Sequence, residues 1–206
     1  MHVLLINGSP HEKGCTYTAL SLVAGELNAA GITTEILNVG TKPVGGCIGC
    51  GGCAAGSGCV FGGVVNEAIE KAKTADAFVF GSPVHYASAS GNMTSFLDRL
   101  AYAGGKYLAY KPAAICCSAR RAGTTTTLDQ LVKYPQFFHM PLVNGSYWAM
   151  VHSSNPEQVL QDAEGCAVMQ ELGRNMAWLL RCIEAGKAAG IDHPQNPPRP
   201  MTNFIR

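Results

Sequence analysis

Short apolar runs of strand length recur along this chain, each followed by residues whose apolar positions repeat at helical spacing. That alternation confines it to βα units on a largely parallel sheet. The runs predict strands at 2–7, 32–39, 76–81, 112–117 and 140–151. Between them, Leu20, Val23 and Leu27 fall on one helical face, as do Met93, Phe96, Leu97 and Leu100, and later Val168, Leu172, Met176, Leu179, Leu180 and Ile183. Each stripe is assigned to the core. The run Ala77-Phe78-Val79-Phe80-Gly81 is too short for a helix and predicts a central strand buried on both faces. An α/β sandwich of three layers, with a five-stranded parallel sheet in the order 2-1-3-4-5, satisfies this pattern. In such a sheet ligands lie beyond the carboxyl ends of the strands, where the order reverses. The loops after strands one to four are therefore expected to share one rim.

The 206 residues suit one domain, 1–192, with a full core. An arm, 193–206, follows; its four prolines from Pro194 to Pro200 exclude helix and favour an extended segment, either disordered or laid across a neighbouring subunit. A net charge of +1 lacks the basic excess of a nucleic-acid binder, and Arg120-Arg121 is the one basic pair that stands out. No apolar stretch reaches membrane-spanning length, and the strand pattern begins within two residues of Met1. The expectation is a soluble, cytoplasmic protein without nucleic-acid or membrane partners. Nine cysteines, an odd count, fit a reducing compartment better than a disulfide framework.

Three loops have the chemistry of a nucleotide cofactor site. After strand one, Gly8-Ser9-Pro10-His11-Glu12-Lys13-Gly14-Cys15-Thr16 combines glycines, hydroxyls and a helix start whose free N–H groups suit a phosphate. An ordinary βα turn capped by Thr16 is the competing reading. The sequence is neither a Walker A loop nor the G-x-G-x-x-G of dinucleotide folds. After strand three, Gly81 to Gly91 sets Ser82, Pro83, Val84, His85, Ser88 and Ser90 around Tyr86, an arrangement able to grip a flat isoalloxazine ring. After strand four, Ser118 leads into Arg120 and Arg121, cations that favour a reduced, anionic flavin or are simply solvated. His85, Tyr86 and His152 are candidates for proton transfer, with no catalytic residue assigned. Trp148 is expected in the core or as the wall of an acceptor pocket.

Cys47, Cys50, Cys53 and Cys59 lie within thirteen residues of a glycine-saturated stretch. Four thiolates on a loop able to wrap a cube suit a [4Fe–4S] cluster. Zinc and a metal-free thiol loop are the other readings. Cys116, Cys117, Cys166 and Cys182 are expected to be small core residues.

Gly8-Ser9-Pro10 with Gly14 and Thr16, Ser82-Pro83-Val84 with Ser90-Gly91 and Phe96-Asp98-Arg99, and Ser118-Ala119-Arg120-Arg121 together resemble the NADPH-dependent FMN reductase superfamily. The cysteine run makes the chain similar to its iron–sulfur flavoprotein branch. The resemblance implies a flavodoxin-like fold and bound FMN, with the phosphate at Ser9, His11, Cys15, Thr16 and Tyr17 and the ring at Pro83 to Ser90. It also implies a homodimer or homotetramer. His11 stands where the family usually has an arginine, and Cys15 where it usually has an asparagine. The expected activity is hydride transfer from NAD(P)H to FMN, then electron transfer to a quinone, azo or nitro compound, or free flavin. The alternatives are an FMN plus [4Fe–4S] carrier between redox partners and a regulatory protein using its thiols as a switch.

Overall fold

The computed structural model describes residues 1–198, 200–202 and 204. Five parallel strands form the sheet: β1 (His2–Asn7), β2 (Thr33–Asn38), β3 (Ala77–His85), β5 (Ala113–Ala119) and β6 (Met150–His152), with β4 (Ser88–Ala89) antiparallel on the end of β3. The order is β2-β1-β3-β5-β6. The sheet thus has six strands rather than the expected five. The expected order holds for the parallel strands once β4, a hairpin return two residues long, is set aside.

Helices cover both faces. Side chains alternate along β1, so Val3 and Leu5 join α1 (Cys15–Ala29) and α6 (Ala163–Ala188), while Leu4 and Ile6 join α2 (Val64–Thr74) and α3 (Gly91–Gly104). The same division runs through β3, with Ala77 and Val79 on one side and Phe78 and Phe80 on the other. All four side chains are almost completely buried, as expected of a central parallel strand. The helix α4 (Thr124–Phe137) adds Leu131 to the second face, and the short α5 (Pro156–Val159) adds Val159 to the first.

Three expectations change. Strand five, predicted over 140–151, reduces to Met150–His152 plus one isolated parallel bridge, Ala113 to Leu142. Between them the Asn144-Gly145-Ser146 turn leaves the sheet, and the Ser146 N–H donates to Glu171 Oε2 at 2.7 Å. Leu179 and Ile183 are half-buried, at the margin of the α6 stripe. Trp148 is 58% exposed, so it is not a core residue. In the arm, His193 stacks on Tyr110 with centroids 4.3 Å apart and Asn196 donates to the Tyr110 hydroxyl at 2.6 Å. Residues 199, 203, 205 and 206 of the expected arm lie outside the described residues. Among the described residues no helix is long and apolar enough to cross a membrane.

Packing of α1 on α6 depends on Gly173, where a Cβ would sit 2.7 Å from the Val23 carbonyl oxygen. Gly173→Val is expected to destabilise the fold by about 1–3 kcal/mol through overpacking. Gly25, also helical but with open space around it, is the control: Gly25→Ala is expected to stabilise by up to about 1 kcal/mol. Urea unfolding of the three proteins measures both.

Candidate functional site

The turn after β1 is built by its own side chains. Asn7, the last residue of β1, is fully buried; its Nδ2 donates to Asn38 Oδ1 at 2.8 Å and to the Glu12 carbonyl at 3.2 Å, and its Oδ1 accepts the Ser9 N–H at 3.1 Å. The buried Ser9 hydroxyl accepts the His11 N–H at 3.1 Å. Gly40, just beyond β2, lies so close to Ser9 that any Cβ there would collide with the Ser9 backbone. Thr16 does not cap α1. Its hydroxyl pairs with that of Ser118 at 2.8 Å, tying the start of α1 to β5.

Helix starts divide into two groups. Ser90, Asn155 and Asp162 cap α3, α5 and α6 with side-chain oxygens. Glycine occupies the N-cap of α1, α2 and α4, and none of these three has a side-chain cap. At α1 the first helical bond runs from the Thr18 N–H to the Gly14 carbonyl, so the N–H groups of Cys15, Thr16 and Tyr17 have no acceptor among the described residues. Three unsatisfied donors at the positive end of a helix attract an anion.

Facing this turn is the β3–β4 hairpin. Val84 pairs with Ala89 and His85 with Ser88, leaving Tyr86 and Ala87 as a two-residue turn with φ of 51° and 58°. Neither is glycine, so each stores of order 1 kcal/mol of backbone strain. Tyr86 is fully exposed. The hairpin is anchored from α4 by Gln130, whose Oε1 accepts the Ser88 hydroxyl at 2.6 Å and the Ala89 N–H at 2.9 Å. It is joined to the β1 turn by Ser90, whose hydroxyl donates to the Gly8 carbonyl at 2.7 Å. Gly123 lets the loop after β5 press on the hairpin, since a Cβ there would lie 2.6 Å from Ala87 Cα. Arg120 and Arg121 on that loop are exposed. A cleft of about 300 Å³ opens between turn and hairpin, lined by Gly8, Pro10, His85, Ser90, Gly91 and Asn92. The expected convergence on one rim is therefore present. The Asp162 carboxylate accepts the N–H of His152 at 2.7 Å, at the end of β6.

Asn92 links the rim to the cysteine loop, donating to the Gly40 and Lys42 carbonyls at 2.9 and 3.1 Å and accepting the Val44 N–H at 3.1 Å. Cys47, Cys50, Cys53 and Cys59 all line one cavity of about 230 Å³ with Arg99 and Tyr102. Gly51 and Gly56, at φ of 71° and 80°, bracket the tight turn Gly52–Ala55 that presents Cys53. Asn66 holds the Cys59 backbone from both sides, at 2.8 and 3.0 Å. Among the described residues no group of three or more His, Cys, Asp or Glu closes on a point that one ion could occupy. Cys116 and Cys117 are buried as expected, Cys166 is half-buried, and Cys182 is exposed on α6 rather than in the core.

Sequence reasoning missed Asn7, Gly40, Asn92 and Gln130, and it quoted Arg99 in the family motif without giving it a role. Asn7 left a signal, a polar residue closing an apolar run. Arg99 left one too, as a lone cation bordering the apolar stripe of α3. The other three serve partners distant in sequence, which only the tertiary structure reveals.

Residues 1–155 match the family described as NADPH-dependent FMN reductase. The chain belongs to this family of FMN-dependent oxidoreductases. An iron-sulfur flavoprotein of Methanocaldococcus jannaschii is 27% identical over 193 residues, 89% of this chain and 100% of that protein. Two solved structures share the fold. RosB with bound 8-demethyl-8-formylriboflavin-5'-phosphate has a TM-score of 0.71 at 13% identity and spans 100% of this chain and 96% of its own. A flavodoxin from the domain Archaea has a TM-score of 0.60 at 12% identity, over 88% of this chain and 99% of its own.

Thiol reactivity tests the cysteine environments. Burial pushes the Cys117 thiol up to about 12 and raises Cys116 further, so only about one Cys117 in ten thousand is thiolate at pH 8. Iodoacetamide at pH 8 is expected to label Cys182 in the native protein, and Cys116 and Cys117 only after unfolding, as read by peptide mass spectrometry.

Proposed function

We propose that this protein is an FMN-dependent NAD(P)H oxidoreductase that binds the flavin phosphate at the first turn of α1. The carrying observation is that turn: three amides without acceptors at an uncapped helix start, following the turn residues Gly8 and Pro10 that line the cleft beneath the hairpin. Backbone and side chains of Ser9, His11, Cys15, Thr16 and Tyr17 surround the phosphate. Pro83, Val84, His85, Tyr86, Ser88 and Ser90 frame the ring, and Ser118, Arg120 and Arg121 stand beside it. The Thr16–Ser118 and Ser90–Gly8 bonds keep these loops in fixed relation, so the pocket is formed before the cofactor arrives. FMN held there would supply the hydride-accepting and electron-releasing chemistry, with NAD(P)H as donor and a quinone, azo or nitro compound, or free flavin, as acceptor. The protein works in the cytoplasm as a homodimer or homotetramer, with exposed Tyr86, Trp148 and Trp178 available to a second copy.

A second reading rests on the cysteine cavity. Four thiols lining one space, on a loop with three cysteines at two-residue gaps, suit a cluster better than the separated ligand pairs usual for zinc. The resemblance to a named iron-sulfur flavoprotein supports this reading too. A [4Fe–4S] cluster held there supplies one-electron exchange, and the protein then acts as an electron carrier between redox partners.

Charge at α1 tests the phosphate site. Tyr17→Asp places a carboxylate in the first turn, where it favours the apo helix by about 0.3–1 kcal/mol and repels phosphate. FMN affinity is expected to fall at least about tenfold below that of Tyr17→Asn, roughly 1.4 kcal/mol; equal affinities argue against the site. Replacing Cys47, Cys50, Cys53 and Cys59 together by serine is expected to abolish bound iron and sulfide while sparing FMN. NAD(P)H-driven flavin reduction that survives supports the oxidoreductase reading. Loss of electron delivery to a one-electron acceptor supports the carrier.

A further inference from the structure

Among the described residues, Arg99 is the one cation that the fold takes out of water beside the cysteines. Its residue is 7% exposed, and it lines the same cavity as the four thiols. Nε donates to Cys59 Sγ at 3.2 Å, one terminal nitrogen to the Gly62 carbonyl at 2.9 Å and the other to the Gly45 carbonyl at 3.4 Å. Phe61 covers the guanidinium, with its ring centroid 5.7 Å from Cζ. Arg99 belongs to no ion pair among the described residues. Its neighbour Asp98 is engaged elsewhere, accepting the Tyr134 hydroxyl at 2.6 Å.

A guanidinium stays protonated in proteins, and removing it from water without an anion is costly. The carbonyls satisfy donors but leave the charge uncompensated. Three of the five N–H groups are used, so two remain. Among the described residues lining the cavity, the groups able to become anionic are the four thiols and the Tyr102 hydroxyl, and a thiol ordinarily gives up its proton more readily than a phenol. Four thiolates around an iron–sulfur core give a net negative charge, and one-electron reduction adds one further unit, with no bond made or broken.

We infer that Arg99 is the internal counter-ion of an iron–sulfur cluster bound by Cys47, Cys50, Cys53 and Cys59, and that it raises the reduction potential of that cluster. This rests on the cluster reading above. Because the cation is buried, water and salt screen it little, and its field favours the reduced, more negative state. It also pins Gly45 and Gly62, on either side of the cysteine run, so its structural and electrostatic roles must be separated by experiment.

The test uses the anaerobically purified full chain, Arg99→Lys and Arg99→Gln. Iron and acid-labile sulfide are measured first, then the cluster is titrated with dithionite and followed by electron paramagnetic resonance. Arg99→Lys is expected to keep a potential near that of the native protein, since it keeps the charge. Arg99→Gln, which keeps a donor but not the charge, is expected to disfavour reduction at least about tenfold, a shift of about 59 mV to more negative potential. Cluster retained in Arg99→Lys but lost from Arg99→Gln also supports the inference. A native-like potential in Arg99→Gln, or cluster loss from both variants, overturns it and leaves Arg99 a structural clamp on the loop. Native protein without iron and sulfide overturns the cluster reading itself, and the inference with it.

Discussion

The hydrogen bond from the Ser90 hydroxyl to the Gly8 carbonyl, 2.7 Å long, is the clasp on which the functional end of this protein depends. It is buried, and it joins the turn after β1 to the hairpin after β3. The same oxygen caps α3 by accepting the Met93 N–H at 3.2 Å. One side chain thereby sets the helix start, the hairpin and the turn after β1 in common register. Leaving a buried carbonyl unpaired would cost about 1–3 kcal/mol, so the cleft width is determined by the fold rather than by its ligand. Gly40 completes the arrangement from the other side, allowing the β2 loop to touch the Ser9 backbone.

From that clasp the two candidate centres are physically connected. Asn92 is the second residue of α3 and ties that helix to the carbonyls leading into the cysteine loop. Further along the same helix, Arg99 and Tyr102 wall the thiol cavity. A single helix therefore presents its first residues to the cleft and its later ones to the cysteines. Its burial through Met93, Phe96, Leu97 and Leu100 makes it a rigid spacer between the two candidate sites.

The sheet order and the faces of α1 and α3 were legible because buried strands and amphipathic helices write their periods directly into the chain. Strand five was less so. The apolar residues of 140–151 look like one strand, yet the Asn144-Gly145-Ser146 turn interrupts pairing, and Glu171 rewards the detour with a hydrogen bond from a distant helix. The hairpin was hidden for a different reason: Tyr86 and Ala87 adopt positive φ without the glycine or asparagine that announces such a turn. Cys182, apolar by type, lies exposed on α6 outside the stripe facing the sheet, and Trp148 lies exposed on the loop before β6. The candidate cofactor residues were identifiable by loop chemistry. Their supports, Asn7, Gln130, Asn92 and Arg99, act across long separations, and one sequence contains no record of who meets whom.

The central claim is that the first turn of α1 binds a phosphate, and comparing FMN with riboflavin isolates that group while leaving the ring unchanged. Isothermal titration of cofactor-free protein with each flavin is the most direct measurement. The account predicts that FMN binds at least about a hundredfold more tightly than riboflavin, roughly 2.7 kcal/mol. Equal affinity for the two would contradict it.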